Sequence, residues 1–327
     1  MEHPFPYAED NKRYHTLSYH LKKVFGKRVF KAAIDAGFTC PNLDGTRGTG
    51  GCAYCSGGSG AFAPGPQLGV AEQIRTEQRR IHQKWKGAPV IAYFQAHTNT
   101  YAPLPVLRAR YEEALAVEGV CGLSVATRAD ALPAETLDYL ATLSRGTYLT
   151  VELGLQTIHD ETAERINRGH SYVEFLTAFE ALKRRNLRVC VHLIDGLPGE
   201  DLPMMLETAR AVGRLRPDAV KLHLLHILRG TPLAADYLSG KLHPMAREAY
   251  IGAVCSQLEL LPPETVVERV TGDGQREMLL APLWSRDKIA VLGGIDRELA
   301  RRGTVQGTFY EEYPLKVYEG YGKKSSE

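Results

Sequence analysis

The chain has 327 residues, 44% of them apolar, which is ample for a large core and long for one small domain. Its 40 Lys and Arg nearly balance 38 Asp and Glu, for a formal net charge of +2, so bulk charge does not single out a polyanion-binding protein. No apolar run approaches the roughly 18 residues of a membrane span, and the opening MEHPFPYAEDNKRYH lacks the apolar stretch of a secretory signal. A cytoplasmic location and no membrane partner are expected.

The elements alternate. RVFKAAID (28–35) is predicted as a strand, and VAEQIRTEQRRIHQKW (70–85) as a helix with Val70, Ile74, Ile81 and Trp85 at helical spacing. Strand 90–97, helix 104–117, strand 122–128 and helix 133–143 follow, the last with Pro133 at its start. Strand 148–156 leads to a helix from about Asp160 and a longer one over 171–186. Strand 187–197, helix 201–215 and strand 219–227 complete the series. Beyond about 230 the rhythm breaks into a helix at 244–260, a short strand TVVERVTG and a helix at about 286–302; the tail GKKSSE reads as frayed.

Six strand–helix units imply an α/β fold with a parallel sheet and right-handed crossovers. They are too few for a closed eight-stranded barrel, so a partial (βα)6 TIM-like barrel with a C-terminal α/β extension is expected. The expected organisation is a basic N-terminal segment at 1–26, the barrel at 27–232, and an extension at 233–327 packed on it. Chemistry in such folds sits at the carboxyl ends of the strands.

After the first strand comes TCPNLDGTRGTGGCAYC, with Cys40, Cys52 and Cys55 in the spacing C-x11-C-x2-C. Three thiolates suit a 4Fe–4S cluster with one iron left open. The alternative is zinc with His97 or another residue as fourth ligand, but structural zinc usually takes two C-x2-C knuckles and only one is present. Cys121, Cys190 and Cys255 are scattered, so the chain is no disulfide framework; Cys121 and Cys190 read as core fillers of predicted strands.

GFTCPNLDGTRGTGGCAYC, QAHTNTYAP, ATRAD, ELGLQT, INRGH, HLIDGLPGE, VKLHLLHILRGTPLA and VTGDG occur in this order across residues 37–274. As a set they resemble the radical S-adenosylmethionine (SAM) enzymes, in the YhcC/YtqA-like branch related to the radical SAM core of the Elongator catalytic subunit. The first cysteine gap of eleven departs from the three of the commonest signature. The resemblance implies a 4Fe–4S cluster whose open iron chelates SAM, reductive cleavage to a 5′-deoxyadenosyl radical, and an external one-electron donor of flavodoxin or ferredoxin type. It places Tyr54 near the adenine, Gln156 on the ribose, Arg168 on the SAM carboxylate, and Gly196 and Leu197 of GLPGE where backbone approaches the adenine. His192 is expected to face the cofactor or the barrel interior. Relatives carry Gly-Gly-Glu after the second strand for the methionine amine; this chain has FQAHTNTYAP, so Gln95, Thr98 and Asn99 are the polar groups available there. His97, Asn99, Glu152, Lys221 and His223 are the catalytic or substrate candidates, with Lys221 alternatively neutralising Glu152.

The stretch 11–31 holds seven Lys and Arg and no acid, interleaved with aromatic residues. Lys12, Arg13, Lys22, Lys23, Lys27 and Arg28 are therefore RNA-contact candidates, against the plainer reading of a solvated helix face; LKRRNLR (182–188) adds a second basic run. The resemblance implies transfer RNA as partner and not DNA, with a wobble-uridine side chain converted from carboxymethylaminomethyl towards aminomethyl. Nothing in the sequence resembles the acetyltransferase domain of the Elongator subunit, so acetyl transfer is not expected. The alternatives are radical SAM chemistry on a small metabolite or tetrapyrrole, and a non-catalytic metal-cluster protein that binds RNA.

Overall fold

The computed structural model describes residues 5–56, 63, 65–272 and 276–311. The tail GKKSSE and the last two residues of VTGDG lie outside them. The chain starts with α1 (Leu17–Phe25) and then alternates: β1 (Phe30–Ile34), α2 (Val70–His82), β2 (Val90–Phe94), α3 (Leu104–Leu115), β3 (Val120–Arg128), α4 (Ala134–Ser144), β4 (Tyr148–Gln156), α5 (Asp160–Arg165), α6 (Tyr172–Arg184), β5 (Arg188–Asp195), α7 (Leu202–Leu215) and β6 (Ala219–Leu224). The remainder is β7 (Ile227–Leu228), α8 (Pro232–Leu238), α9 (Arg247–Leu260), β8 (Val266–Arg269), β9 (Leu279–Ala281), a 3-10 turn at Leu283–Arg286 and α10 (Lys288–Arg302).

The main sheet has the order β1-β2-β3-β4-β5-β6-β8, parallel throughout. It is the expected open partial barrel, with one strand more than six repeats supply. The short strand beyond the repeats, β8, pairs with β6 as Ala219↔Val266 and Val220↔Val267. A flat seven-stranded sheet would hold its edge strands roughly 29 Å apart, at about 4.8 Å per step. Here Lys31 Nζ of β1 lies 2.5 Å from Glu268 Oε2 of β8, so the sheet curls until its two edges meet through side chains.

Outward-facing residues such as Ile34, Phe94, Leu123, Val151, Val189 and Leu222 pack under the helices in one large core. The inward face is polar: Lys31, Tyr93, Ser124, Glu152, His192 and Lys221 project from five adjacent strands plus β6 into the barrel. Four predicted strands, those at 28–35, 90–97, 187–197 and 219–227, are shorter than expected, and two of them end for a visible reason. The one at 90–97 stops at Phe94 because the chain turns through His97, whose φ is 59°. The one at 219–227 breaks after Leu224, and β7 pairs antiparallel with β9.

Helix α1 was not among the predicted elements. Thr16 caps it, Gly26 ends it at φ 69°, and Leu17, Leu21 and Phe25 pack on Val29, Ile91, Cys121 and Tyr148. Val29 leads into β1, and Ile91, Cys121 and Tyr148 lie at the starts of β2, β3 and β4, so α1 closes the amino end of the barrel.

Candidate active site

The cysteine loop folds back on itself after β1. Cys40 O accepts from Leu43 N (2.8 Å) and Asp44 N (3.2 Å), Gly51 N donates to Asn42 O (2.8 Å), and Cys55 N donates to Cys52 O (2.8 Å). The loop is stapled to the INRGH segment after α5. Asn167 Nδ2 donates to Gly51 O (2.7 Å), Asn42 Nδ2 donates to Asn167 O (2.6 Å), and Ala53 N donates to Ile166 O (2.8 Å). Asn167 and Gly169 turn the chain with φ of 50° and 79°. Ser171 and Glu174 then form a capping box that starts α6.

Cys40, Cys52 and Cys55 line one cavity of about 310 Å³ at the carboxyl ends of the strands, together with Tyr54, Gln95, His97, Glu152, Gln156, Arg168, His192 and His223. All six cysteines of the chain are thiols without disulfides. The predicted site residues separate clearly by position. Thr98 also reaches the lining. Asn99 does not: it is fully buried, and its Nδ2 donates to Phe94 O and Ala126 O (both 3.0 Å), clipping β2 to β3. Gly196 has φ 80° and packs against Met245, while Leu197 lies in the apolar cluster on which Tyr54 rests. Lys221 sits below the cavity floor, bonded to Glu152 and to Tyr93 Oη (3.1 Å).

Arg168 is buried, donating from Nη2 to Gly154 O (2.7 Å) and from Nε to Gln156 Oε1 (3.1 Å). Gln156 itself has φ 75°, at a bulge where β4 leaves register with β5. The motif's arginine and glutamine are thus presented as a unit.

Beneath them lies a charged network. Glu152 is fully buried; its Oε1 accepts from Lys31 Nζ (2.6 Å) and Ser124 Oγ, and its Oε2 contacts Lys221 Nζ and His192 Nε2 (2.8 Å). Burial pushes the Glu152 carboxyl up, but the ammonium groups of Lys221 and Lys31 overcome it and hold the pKa well below the carboxylate range. Burial first, and then Lys221, lowers His192; burial and then His192 push His223 well below the usual imidazole value. Both rings are neutral near pH 7 and stand 5.2 Å apart on the cavity wall.

Several site residues carried no role in the sequence reading. Arg128, in ATRAD, is buried and grips Asp130 with two bonds of 2.9 Å. Its quoted motif was the available signal, since a basic residue at a strand exit of this fold faces the site. Lys31 and Glu268 gave no local signal because their partners lie on other strands, and Asn42 gave none because Asn167, which holds it, lies far along the chain after α5. The RNA-contact candidates are at the amino end of the barrel, away from the cavity. Lys12 pairs with Asp296 (2.5 Å), Lys22 and Lys23 with Glu9, and Arg28 lies 4.1 Å over the Trp85 ring. Arg13 lies 4.4 Å over the Phe5 ring, and Lys27 is exposed.

A sulfur-lined cavity at the strand exits of an open parallel barrel is the arrangement of a radical SAM fold. Residues 44–212 match the radical SAM superfamily and residues 217–301 the Radical_SAM C-terminal domain; the chain belongs to the radical SAM superfamily. It is 50% identical over 312 residues to YtqA of Bacillus subtilis, covering 95% of this chain and 97% of that one. It is 30% identical over 126 residues to the tRNA uridine(34) acetyltransferase of Methanocaldococcus jannaschii, covering 38% of this chain and 23% of that one. The solved structure of Elp3 from Methanocaldococcus infernus, with an N-terminal deletion, superposes with a TM-score of 0.64 at 18% identity, covering 85% of this chain and 64% of that one. As a family member the protein uses a 4Fe–4S cluster and SAM. The residues fit that pair: three thiols on one cavity, with Asn42 and two arginines turned toward Cys52, suit a thiolate-bound cluster of net negative charge. Among the described residues, no three His, Cys, Asp or Glu side chains converge on a point where a single ion would sit, and no helix is long and apolar enough to cross a membrane.

Proposed function

We propose that this radical SAM enzyme acts on transfer RNA, remodelling the wobble-uridine side chain from carboxymethylaminomethyl towards aminomethyl. The observation that carries this reading is the similarity, over 126 residues, to a tRNA uridine(34) acetyltransferase. A wobble base lies in an unpaired loop and reaches a recessed site at modest unstacking cost.

When bound, the cluster would supply the electron that cleaves SAM to methionine and a 5′-deoxyadenosyl radical able to take a hydrogen atom from the glycine-like methylene. Loss of a second electron to an external one-electron acceptor, with a proton, and hydrolysis of the resulting imine would release the two-carbon unit as glyoxylate and leave the aminomethyl group. In this reading Cys40, Cys52 and Cys55 hold the cluster. Tyr54, resting on Leu197 and its apolar neighbours, offers a ring to the adenine. Gln156 meets the ribose and Arg168 the carboxylate; Arg168 is already fixed by Gly154 O of β4, and its Nε donates to the Gln156 side chain. Gln95 takes the amine, and Gly196 lets the chain turn beside the adenine. Glu152 fixes the His192 ring through Nε2. His192 and His223 present neutral imidazoles to the cavity, where they are able to hydrogen-bond a polar group of the substrate. His97 lies across the same cavity. The electron comes from an external donor of flavodoxin or ferredoxin type.

Two measurements test this. Anaerobic reconstitution with dithionite and SAM is expected to yield 5′-deoxyadenosine. Nucleoside mass spectrometry of tRNA from a deletion strain is expected to show the carboxymethylaminomethyl form accumulating at the expense of aminomethyl. An unchanged wobble-uridine profile overturns the tRNA reading and turns attention to a small-molecule substrate.

A further inference from the structure

Three nitrogen donors converge on one of the three cysteines. Asn42 Nδ2 lies 3.7 Å from Cys52 Sγ, Arg168 Nη1 3.9 Å and Arg128 Nη1 4.0 Å. All three side chains are buried. Each is held from behind: Asn42 by its bond to Asn167 O (2.6 Å), Arg128 by Asp130, and Arg168 by Gly154 O. The Asn42 amide also sits in a slot that only glycine leaves open. A Cβ at Gly48 would collide with its oxygen, and one at Gly169 would come within 2.9 Å of it. Gly48 belongs to the eleven-residue gap between the first two cysteines, and Gly169 to INRGH. The long gap therefore positions a neutral N–H donor on the cluster's middle cysteine.

Donors on a ligating sulfur stabilise the reduced state, which carries one more negative charge, and so raise the reduction potential. We infer that Asn42 and Arg128 act through Cys52 as positioning residues that set the midpoint potential of the cluster, Asn42 as a neutral donor and Arg128 as a charged one. This rests on the cluster assignment and is independent of the tRNA substrate.

The test is an EPR-monitored redox titration of the reconstituted protein, without SAM or RNA, alongside iron and sulfide content. Asn42→Ala and Arg128→Ala are each expected to retain full iron content and to be harder to reduce. Loss of one charge-assisted donor, about 1.5 kcal/mol, lowers the ratio of reduced to oxidised cluster at fixed potential about tenfold, or about 59 mV for a one-electron couple. Arg128→Lys, which keeps the charge, is expected to fall between wild type and Arg128→Ala. Should the alanine variants fail to load iron, Asn42→Ser and Arg128→Lys carry the test, since each keeps a donor at lower reach and must still shift the midpoint downward. Full iron content with wild-type midpoints in these variants overturns the inference, whatever the outcome of the tRNA experiment.

Discussion

Arg168 is the residue on which motif and geometry agree most closely. Its guanidinium is fixed by Gly154 O and Gln156 Oε1 before any ligand arrives, so little entropy is lost when it meets a carboxylate. Arg168→Ala is expected to keep the cluster's visible absorbance and to weaken SAM binding about 10- to 100-fold, the loss of about 1.5–3 kcal/mol for a charged hydrogen bond. Cys52→Ala is expected to lose absorbance and SAM cleavage together. Unchanged SAM affinity in Arg168→Ala, measured by equilibrium dialysis, removes the carboxylate assignment. A second residue-scale effect lies at Asp195, at the end of β5. Burial raises its carboxyl from 3.8 to about 7, and only Oδ1 has a partner, Gln257 Nε2 at 2.6 Å, while Oδ2 has none. The folded pKa is above the unfolded one, so the folded state holds the extra proton. Stability attached to this group is therefore present at low pH and lost as pH rises from about 4 to about 7. Asp195→Asn is expected to be more stable than wild type by up to about 4 kcal/mol at pH 8, with the gain shrinking toward pH 4. Denaturant titrations at the two pH values check it; a pH-independent difference rules out this linkage.

At the scale of elements, the six strand–helix repeats were legible because each strand has an apolar row under the helices and the helices between them are of helical length and patterning. The seventh strand was also read as a strand, but not as a member of the sheet. Periodicity records that a segment is extended; it does not record which neighbour it pairs with. The same limit hid the contact between the edge strands. Lys31 and Glu268 are 237 residues apart, and only the curl of the sheet brings them together. There Lys31 Nζ bridges Glu152 and Glu268, at 2.6 and 2.5 Å. Removing Lys31 leaves two buried carboxylates to share Lys221, which lies 3.8 Å from Glu268, whereas removing Lys31 and Glu268 together leaves Glu152 paired with Lys221. Lys31→Met is therefore expected to cost roughly 3–5 kcal/mol, seen as a lower denaturant midpoint at unchanged m-value. The double variant Lys31→Met, Glu268→Leu leaves Glu152 with Lys221 and is expected to be more stable than Lys31→Met alone. A double variant as unstable as the sum of the two single ones removes the claim that the edges are coupled through this pair.

Across the whole molecule, the polar strand exits and the basic N-terminal stretch stand at opposite ends of the barrel. Composition alone gave the stretch its RNA-binding character, because a count of Lys and Arg is blind to acids from elsewhere in the chain. Folding brings Glu9 to Lys22 and Lys23 and Asp296 to Lys12. The segment also has structural work: Val267 N donates to His15 O (2.7 Å), and Gln306 N donates to Arg13 O (2.8 Å), tying it to β8 and to the residues after α10. Exposed pairs such as Lys23 and Glu9 contribute at most about 1 kcal/mol each, so removing them leaves the fold intact and the electrostatic question can be isolated. The double variant Lys22→Ala, Lys23→Ala is expected to melt within a few degrees of wild type. Its tRNA affinity is expected to stay within about threefold of wild type at both low and physiological salt, because Glu9 already answers much of the charge of the two lysines. Each direct phosphate contact steepens the dependence of log affinity on log salt by about 0.7–0.9. A drop in that slope of between one and two for the double variant would place RNA on the amino end of the barrel. The tRNA body, and not the anticodon loop alone, would then have to wrap around from α1 to the cysteine-lined cavity.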